Sequence, residues 1–123
     1  MMNMKECYDG FGGDYEGVLS RLMKEERIIK YTGKFVNGND YQLIVDSLAA
    51  GDKETAFRNV HNLKGVSLNL GFTPLHQTSD VLCEALRPGN PPVAEAEVER
   101  MLADVKAAYD KVVAALKETL PEA

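Results

Sequence analysis

The sequence predicts an all-α fold, an antiparallel up-and-down four-helix bundle preceded by additional short N-terminal helices. Apolar residues recur at helical spacing through nearly all 123 residues, and no run of four or more alternates as a half-buried strand would. Capping residues and glycine or proline breaks punctuate that pattern at intervals of one helix. The connections left between the long amphipathic stretches are short, which makes consecutive helices antiparallel neighbours.

The elements follow in order. A short N-terminal segment, Met2 to Tyr8, is broken by Gly10, Gly12 and Gly13. Asp14 then suits an N-cap, and Tyr15, Val18, Leu19, Leu22 and Met23 fall on one buried face at i, i+3, i+4, i+7 and i+8. A second stripe runs through Ile28, Ile29, Thr32, Phe35 and Val36, after which Asn37-Gly38-Asn39-Asp40 reads as a turn and a new cap. Tyr41, Ile44 and Leu48 carry the next helix to Gly51, a residue suited to the left-handed position after a helix end. These elements make up residues 1–50.

Asp52 caps a helix over 52–71 that runs to about Leu70 and ends at Gly71. Thr73-Pro74 restarts the chain, with Thr as N-cap and Pro at the first helical position, where its missing N–H costs nothing. This helix, over 73–87, uses Leu75, Leu82 and Leu86 for its core and stops at Pro88-Gly89-Asn90-Pro91-Pro92. A last helix over 93–120 places Val98, Met101, Leu102, Val105, Tyr109, Val112, Leu116 and Leu120 on one stripe. Its acids Glu95, Glu97 and Glu99 lie early and Lys117 late, as the helix dipole favours.

Composition bounds the function. A chain of this length fits one domain, 1–123, around one core. The 45% hydrophobic and 27% charged fractions are those of a globular protein rather than a disordered one. Fourteen Lys and Arg against nineteen Asp and Glu give a net charge of -5, which argues against a general nucleic-acid binder. The longest uninterrupted apolar run, Val112 to Leu116, is far short of the roughly 20 residues a membrane span needs. The start, Met1-Met2-Asn3-Met4-Lys5-Glu6, lacks a secretory apolar stretch, so a cytoplasmic location is expected. Cys7 and Cys83 have no metal-type spacing and are expected as free thiols.

The helix over 52–71 does not read as plain core. Ala56, Val60, Leu63, Ser67 and Leu70 form its seam. Measured from Val60, Lys64 falls at about 40°, Leu68 at about 80°, His61 at about 100° and Gly65 at about 140°. His61 therefore stands on the shoulder of the buried stripe with one edge open to solvent. Glycine inside a helix costs roughly 1 kcal/mol relative to alanine, and clearing space beside His61 is one reason for Gly65. The Lys64 ammonium can reach the same shoulder, attract phosphate oxygens and favour neutral imidazole by like-charge repulsion. A neutral, accessible imidazole beside such a cation has the attributes of a phosphoryl acceptor. The same residues also fit a solvated histidine, a lysine whose stem covers the stripe, and a helix-packing glycine.

The segment His61-Asn62-Leu63-Lys64-Gly65-Val66-Ser67-Leu68-Asn69-Leu70-Gly71 resembles the HxLKGxxxxLG signature of histidine-containing phosphotransfer (HPt) domains. The likeness continues to Cys83-Glu84-Ala85-Leu86 in the next helix. The resemblance implies that His61 is phosphorylated, at Nε2, that Lys64 is the cation near the phosphoryl group, and that Gly65 is the gap admitting a partner. It places Asn62, Leu68 and Asn69 around the docking surface. Some family members hydrogen-bond the imidazole from a glutamine on the next helix; Cys83 occupies the aligned position here, and Gln77 is out of phase. The ring is then left to a backbone or water contact. The implied partners are a response-regulator receiver domain, a hybrid sensor histidine kinase, or both, with the chain monomeric and without nucleic acid or membrane. No cofactor is expected on this chain; Mg²⁺ belongs to the receiver.

The remaining candidates are weaker. His76, in the first turn of its helix, is expected at the surface. A metal site from His61, His76, Cys7 and Cys83 lacks ligand spacing. Gly10-Phe11-Gly12-Gly13 is followed by no Lys-Ser/Thr and is a helix break rather than a phosphate loop. Without a nucleotide motif the chain is expected to be a phosphoryl carrier and not a self-sufficient kinase. The expected function is that of a phosphorelay intermediate. The alternative is a non-catalytic helical interaction module binding through the face around Leu68. A chemotaxis-type kinase segment is disfavoured because no kinase domain follows.

Overall fold

A computed structural model describes residues 3–121. Among these residues the chain forms seven helices and no strand: α1 (Met4–Phe11), α2 (Tyr15–Leu22), α3 (Glu25–Val36), α4 (Asp40–Ala49), α5 (Lys53–Asn69), α6 (Thr73–Leu86) and α7 (Glu95–Thr119). Met2, at the start of the expected first segment, lies outside the described residues. No described helix is long and apolar enough to cross a membrane.

The bundle is built from the last four helices. α5 packs between α4 and α6, and α6 packs on α7. Tyr41 of α4 stacks on Tyr109 of α7, with ring centroids 5.3 Å apart, and joins the first of these helices to the last. The seam expected on α5 is the buried one: Ala56, Val60, Leu63 and Ser67 are closed off from solvent, and Leu70 nearly so. Ile44, Leu75, Leu82, Val105, Val112 and Leu116 complete the middle of the core. The short helices α1 to α3 are not appendages. α1 and α3 lie against α7, α2 touches both of them, and Tyr8, Phe11 and Phe35 surround Phe72 at the α5–α6 turn.

Local chemistry accounts for most boundaries. Asp14 and Asp52 cap their helices through side-chain oxygens that accept from Gly17 and Thr55 N–H. The Asn3 side chain accepts from Glu6 N–H while Glu6 reaches back to Asn3 N–H at 3.5 Å, a capping box that starts α1. Gly71 takes φ 74° beyond α5, and a Cβ there would also lie 2.6 Å from the Asp14 carbonyl oxygen, so backbone angle and close packing both demand glycine.

Three expectations are corrected. Met23 does not continue the buried face of α2; it is 73% exposed at φ 73° and terminates the helix, with its N–H donating to Leu19 O. Phe72 rather than Thr73 is the N-cap of α6, which shifts Pro74 to the second helical position. Asn39 rather than Asp40 precedes α4.

Candidate functional site

The site is organised on α5, whose register is set at both ends. Asp52 accepts from the N–H of Thr55 at 3.1 Å and its hydroxyl at 2.7 Å, and these bonds hold the Asp52 carboxyl below its ordinary range. At the other end Phe72 N–H donates to Ser67 O and Gly71 N–H to Leu68 O, a Schellman closure.

Between those ends His61 is exposed, as its helical phase requires. Its ring leans on Phe57 one turn earlier, with centroids 5.9 Å apart and planes at 47°. The Arg87 guanidinium lies over the same phenyl ring, 5.1 Å from its centroid, and is itself held by Glu84 at 2.8 Å. No group among the described residues hydrogen-bonds the His61 ring; the backbone contact considered for it is not formed. Cys83, at the position where a ring-orienting glutamine would stand, is fully buried in α6, and burial pushes its thiol pKa up. It is a small apolar filler, and Gln77 lies elsewhere, exposed beside Met101 and Asp104 of α7.

Lys64 is directed otherwise than its phase alone suggested. Its ammonium pairs with Asp80 of α6 at 2.8 Å, and the bond raises the Lys64 pKa and lowers that of Asp80. Both groups are therefore charged at neutral pH, so Lys64 stands beside the α5 face as one half of an ion pair and not as a free cation. His76 is also corrected. It is half-buried, with Nδ1 3.2 Å from the carbonyl oxygen of Lys64. A carbonyl only accepts, so Nδ1 carries the proton and donates, which braces the main chain of α5 from α6.

Gly65 faces open space: a Cβ built on it would meet nothing within 4 Å. No neighbouring helix accounts for it as a packing contact. The α5 surface is thus open at Gly65, one turn from His61. Seven residues beyond His61 on the same face, Leu68 is 55% exposed. Asn62 and Asn69 are exposed too. The Asn62 amide reaches Asp40 of α4 at 3.5 Å, and the main-chain carbonyl of Asn69 accepts from Arg21.

Phase on one helix brings His61, Gly65 and Leu68 together, whereas it is the Asp80 carboxylate that draws Lys64 to the α6 side. Phase could not reveal Asp80, Arg87 or Arg21, which arrive from other helices. One signal for α6 was available: His76, Asp80, Glu84 and Arg87 recur at spacings of four, four and three, a polar stripe beside the core. No group of three or more His, Cys, Asp or Glu among the described residues could hold a metal ion.

In comparisons with known proteins, no curated protein and no solved structure matches. The family model named Hpt domain matches residues 37–118, which span α4 to α7 and leave α1 to α3 outside. With two thirds of the chain so matched, and with an exposed histidine on the second of the four helices concerned, the chain belongs to the Hpt domain family, whose members carry phosphoryl groups on histidine in phosphorelay signalling.

Proposed function

We propose that this protein is a phosphorelay intermediate that takes a phosphoryl group on His61 from an aspartyl phosphate of a receiver domain, or from a kinase, and passes it to a receiver aspartate. The observation that carries this reading is the His61 ring. It stands exposed on α5, free of hydrogen bonds to described residues, with the helix surface open at Gly65 one turn on.

In transfer from a receiver, the lone pair on Nε2 of neutral His61 attacks phosphorus in line with the aspartyl oxygen. The N–P bond forms, the P–O bond to the carboxyl group breaks, and the aspartate leaves as carboxylate. The Nδ1–H is retained, so the product is an N-phosphoryl imidazolium whose positive charge partly balances the phosphoryl oxygens. Return of the group to a receiver runs the same bonds in reverse. Mg²⁺ and the acidic pocket belong to the receiver and neutralise charge in the loose transition state. This chain contributes an exposed nucleophile leaning on Phe57, two cations, Lys64 and Arg87, each paired with a carboxylate, and a docking face including Asn62, Leu68 and Asn69. It acts as a carrier, in the cytoplasm and as a monomer.

The test is direct. Receiver domains loaded with acetyl phosphate are mixed with the protein, and acid-labile, base-stable phosphate is sought on it. Label on the wild type and none on His61→Gln is the expected result. Absence of label across a broad receiver panel that includes the natural partner would leave a helical interaction module without chemistry.

A further inference from the structure

The C-terminal end of α5 is completed by another part of the chain. Its own Schellman closure uses the carbonyls of Ser67 and Leu68, and no donor within that turn reaches those of Asn69, Leu70 and Gly71. All three are supplied from residues 8–21. Arg21 Nε donates to Asn69 O at 3.1 Å, the Tyr8 hydroxyl to Leu70 O at 2.6 Å, and Asp14 N–H to Gly71 O at 2.8 Å. Arg21 Nη2 adds a bond to Leu68 O at 3.0 Å, so one planar guanidinium spans two successive carbonyls of the final turn.

The donors differ in what they can govern. Tyr8 is fully buried and Asp14 contributes main chain, so both belong to the fold. Arg21 is exposed, and it pairs with no carboxylate among the described residues. Its contacts end on the two residues, Leu68 and Asn69, that present side chains on and beside the face bearing His61. A cation at a helix C-terminus is also placed where the dipole favours it. Lysine could supply that charge, but only the rigid fork of arginine bridges two carbonyls at once.

We propose that Arg21 is a positioning residue for partner docking: by bridging Leu68 O and Asn69 O it fixes the last turn of α5, and so the presentation of Leu68, for the receiver that approaches His61. The inference rests on the phosphorelay reading above. It assigns to the N-terminal helices, outside the residues matched by the family model, a part in recognition and none in chemistry. Without the bridge the turn over 68–71 samples frayed conformations, and the receiver selects the ordered one at a cost in affinity. The nucleophile, two turns earlier, is unaffected.

The experiment compares full-length wild type, Arg21→Gln and Arg21→Lys in phosphoryl transfer from an acetyl-phosphate-loaded receiver over a range of receiver concentrations, with His61→Gln as the unlabelled control. Both Arg21 variants are expected to raise the half-saturating receiver concentration about three- to tenfold, the size of one lost bridging contact. The rate at saturation and the lifetime of the phosphohistidine in the absence of receiver should stay within about twofold of wild type, and hydrogen exchange at the amides of residues 70–72 should quicken. An unchanged half-saturation overturns the proposal, as does full rescue by lysine, which would reduce the effect to charge. A fall confined to the saturating rate overturns it as well. A wild type that no receiver labels defeats the phosphorelay reading and this inference together, whereas a labelled wild type matched by both variants defeats the inference alone.

Discussion

At Gly65 a helix-weakening residue sits where nothing else in the fold needs it. A Cβ would meet no atom within 4 Å and the backbone is ordinary helix, so the residue lowers stability without relieving a clash. Gly65→Ala should therefore stabilise the protein by about 0.5–1 kcal/mol, read as a raised thermal or urea midpoint. Gly65→Arg should fold equally well, its side chain projecting into open space, yet lower transfer to His61 by at least an order of magnitude by filling the approach. The pair of measurements separates two roles. If alanine destabilised the fold, a packing function would stand in place of the open approach; if arginine transferred normally, the direction of approach would be wrong. Lys64 illustrates the opposite case, a side chain whose surroundings matter more than its phase. Its partner Asp80 lies on another helix, and a pair this close to the surface contributes at most about 1 kcal/mol to folding.

At the scale of the helix, the sequence was informative mainly where a feature depended on neighbours within about four residues, although the caps of α4 and α6 each fell one residue earlier than expected. The seam of α5, the caps Asp14 and Asp52 and the exposed shoulder of His61 are of this kind, because each is a matter of helical phase or of one side chain closing on its own backbone. Met23 marks where that logic ends. The apolar spacing continues through it arithmetically, but the helix stops at Leu22 and Met23 turns left-handed into solvent. Nothing local announces the stop, since Lys24 begins α3 with no side-chain cap. His76 and Arg21 were equally illegible, as both act on main-chain carbonyls of α5 from far away in sequence. Because φ 73° strains any residue with a Cβ, Met23→Gly should stabilise the protein by about 1 kcal/mol. A unimodal melt shifted upward would establish this. An unchanged or lowered midpoint would mean that the exposed methionine side chain makes contacts worth as much as the strain.

For the molecule as a whole, the decisive question is whether α4 to α7, the part matched by the Hpt domain model, is a folding unit without α1 to α3. The arrangement around Phe72 argues that it is not. That ring is fully buried, and three aromatic side chains within 6 Å of it, Tyr8 at 5.9 Å, Phe11 at 5.5 Å and Phe35 at 5.0 Å, come from the first three helices. Cutting the chain to residues 37–123 would return to solvent the Phe72 ring and the parts of α7 that α1 and α3 cover, together with the Leu70 carbonyl now bonded by Tyr8. At about 1.5–3 kcal/mol for each large apolar side chain exposed, losing a few of these contacts consumes much of the ~5–15 kcal/mol that a domain of this size has in hand. The shortened chain should accordingly show no cooperative urea transition and should bind hydrophobic dyes. A sharp transition near the full-length midpoint would instead make the first three helices an independent cover. Tyr8→Phe provides the graded version within the intact protein. It keeps the ring, removes one hydroxyl and leaves a buried carbonyl unpaired, a loss of about 1–3 kcal/mol that should lower the midpoint without abolishing the transition.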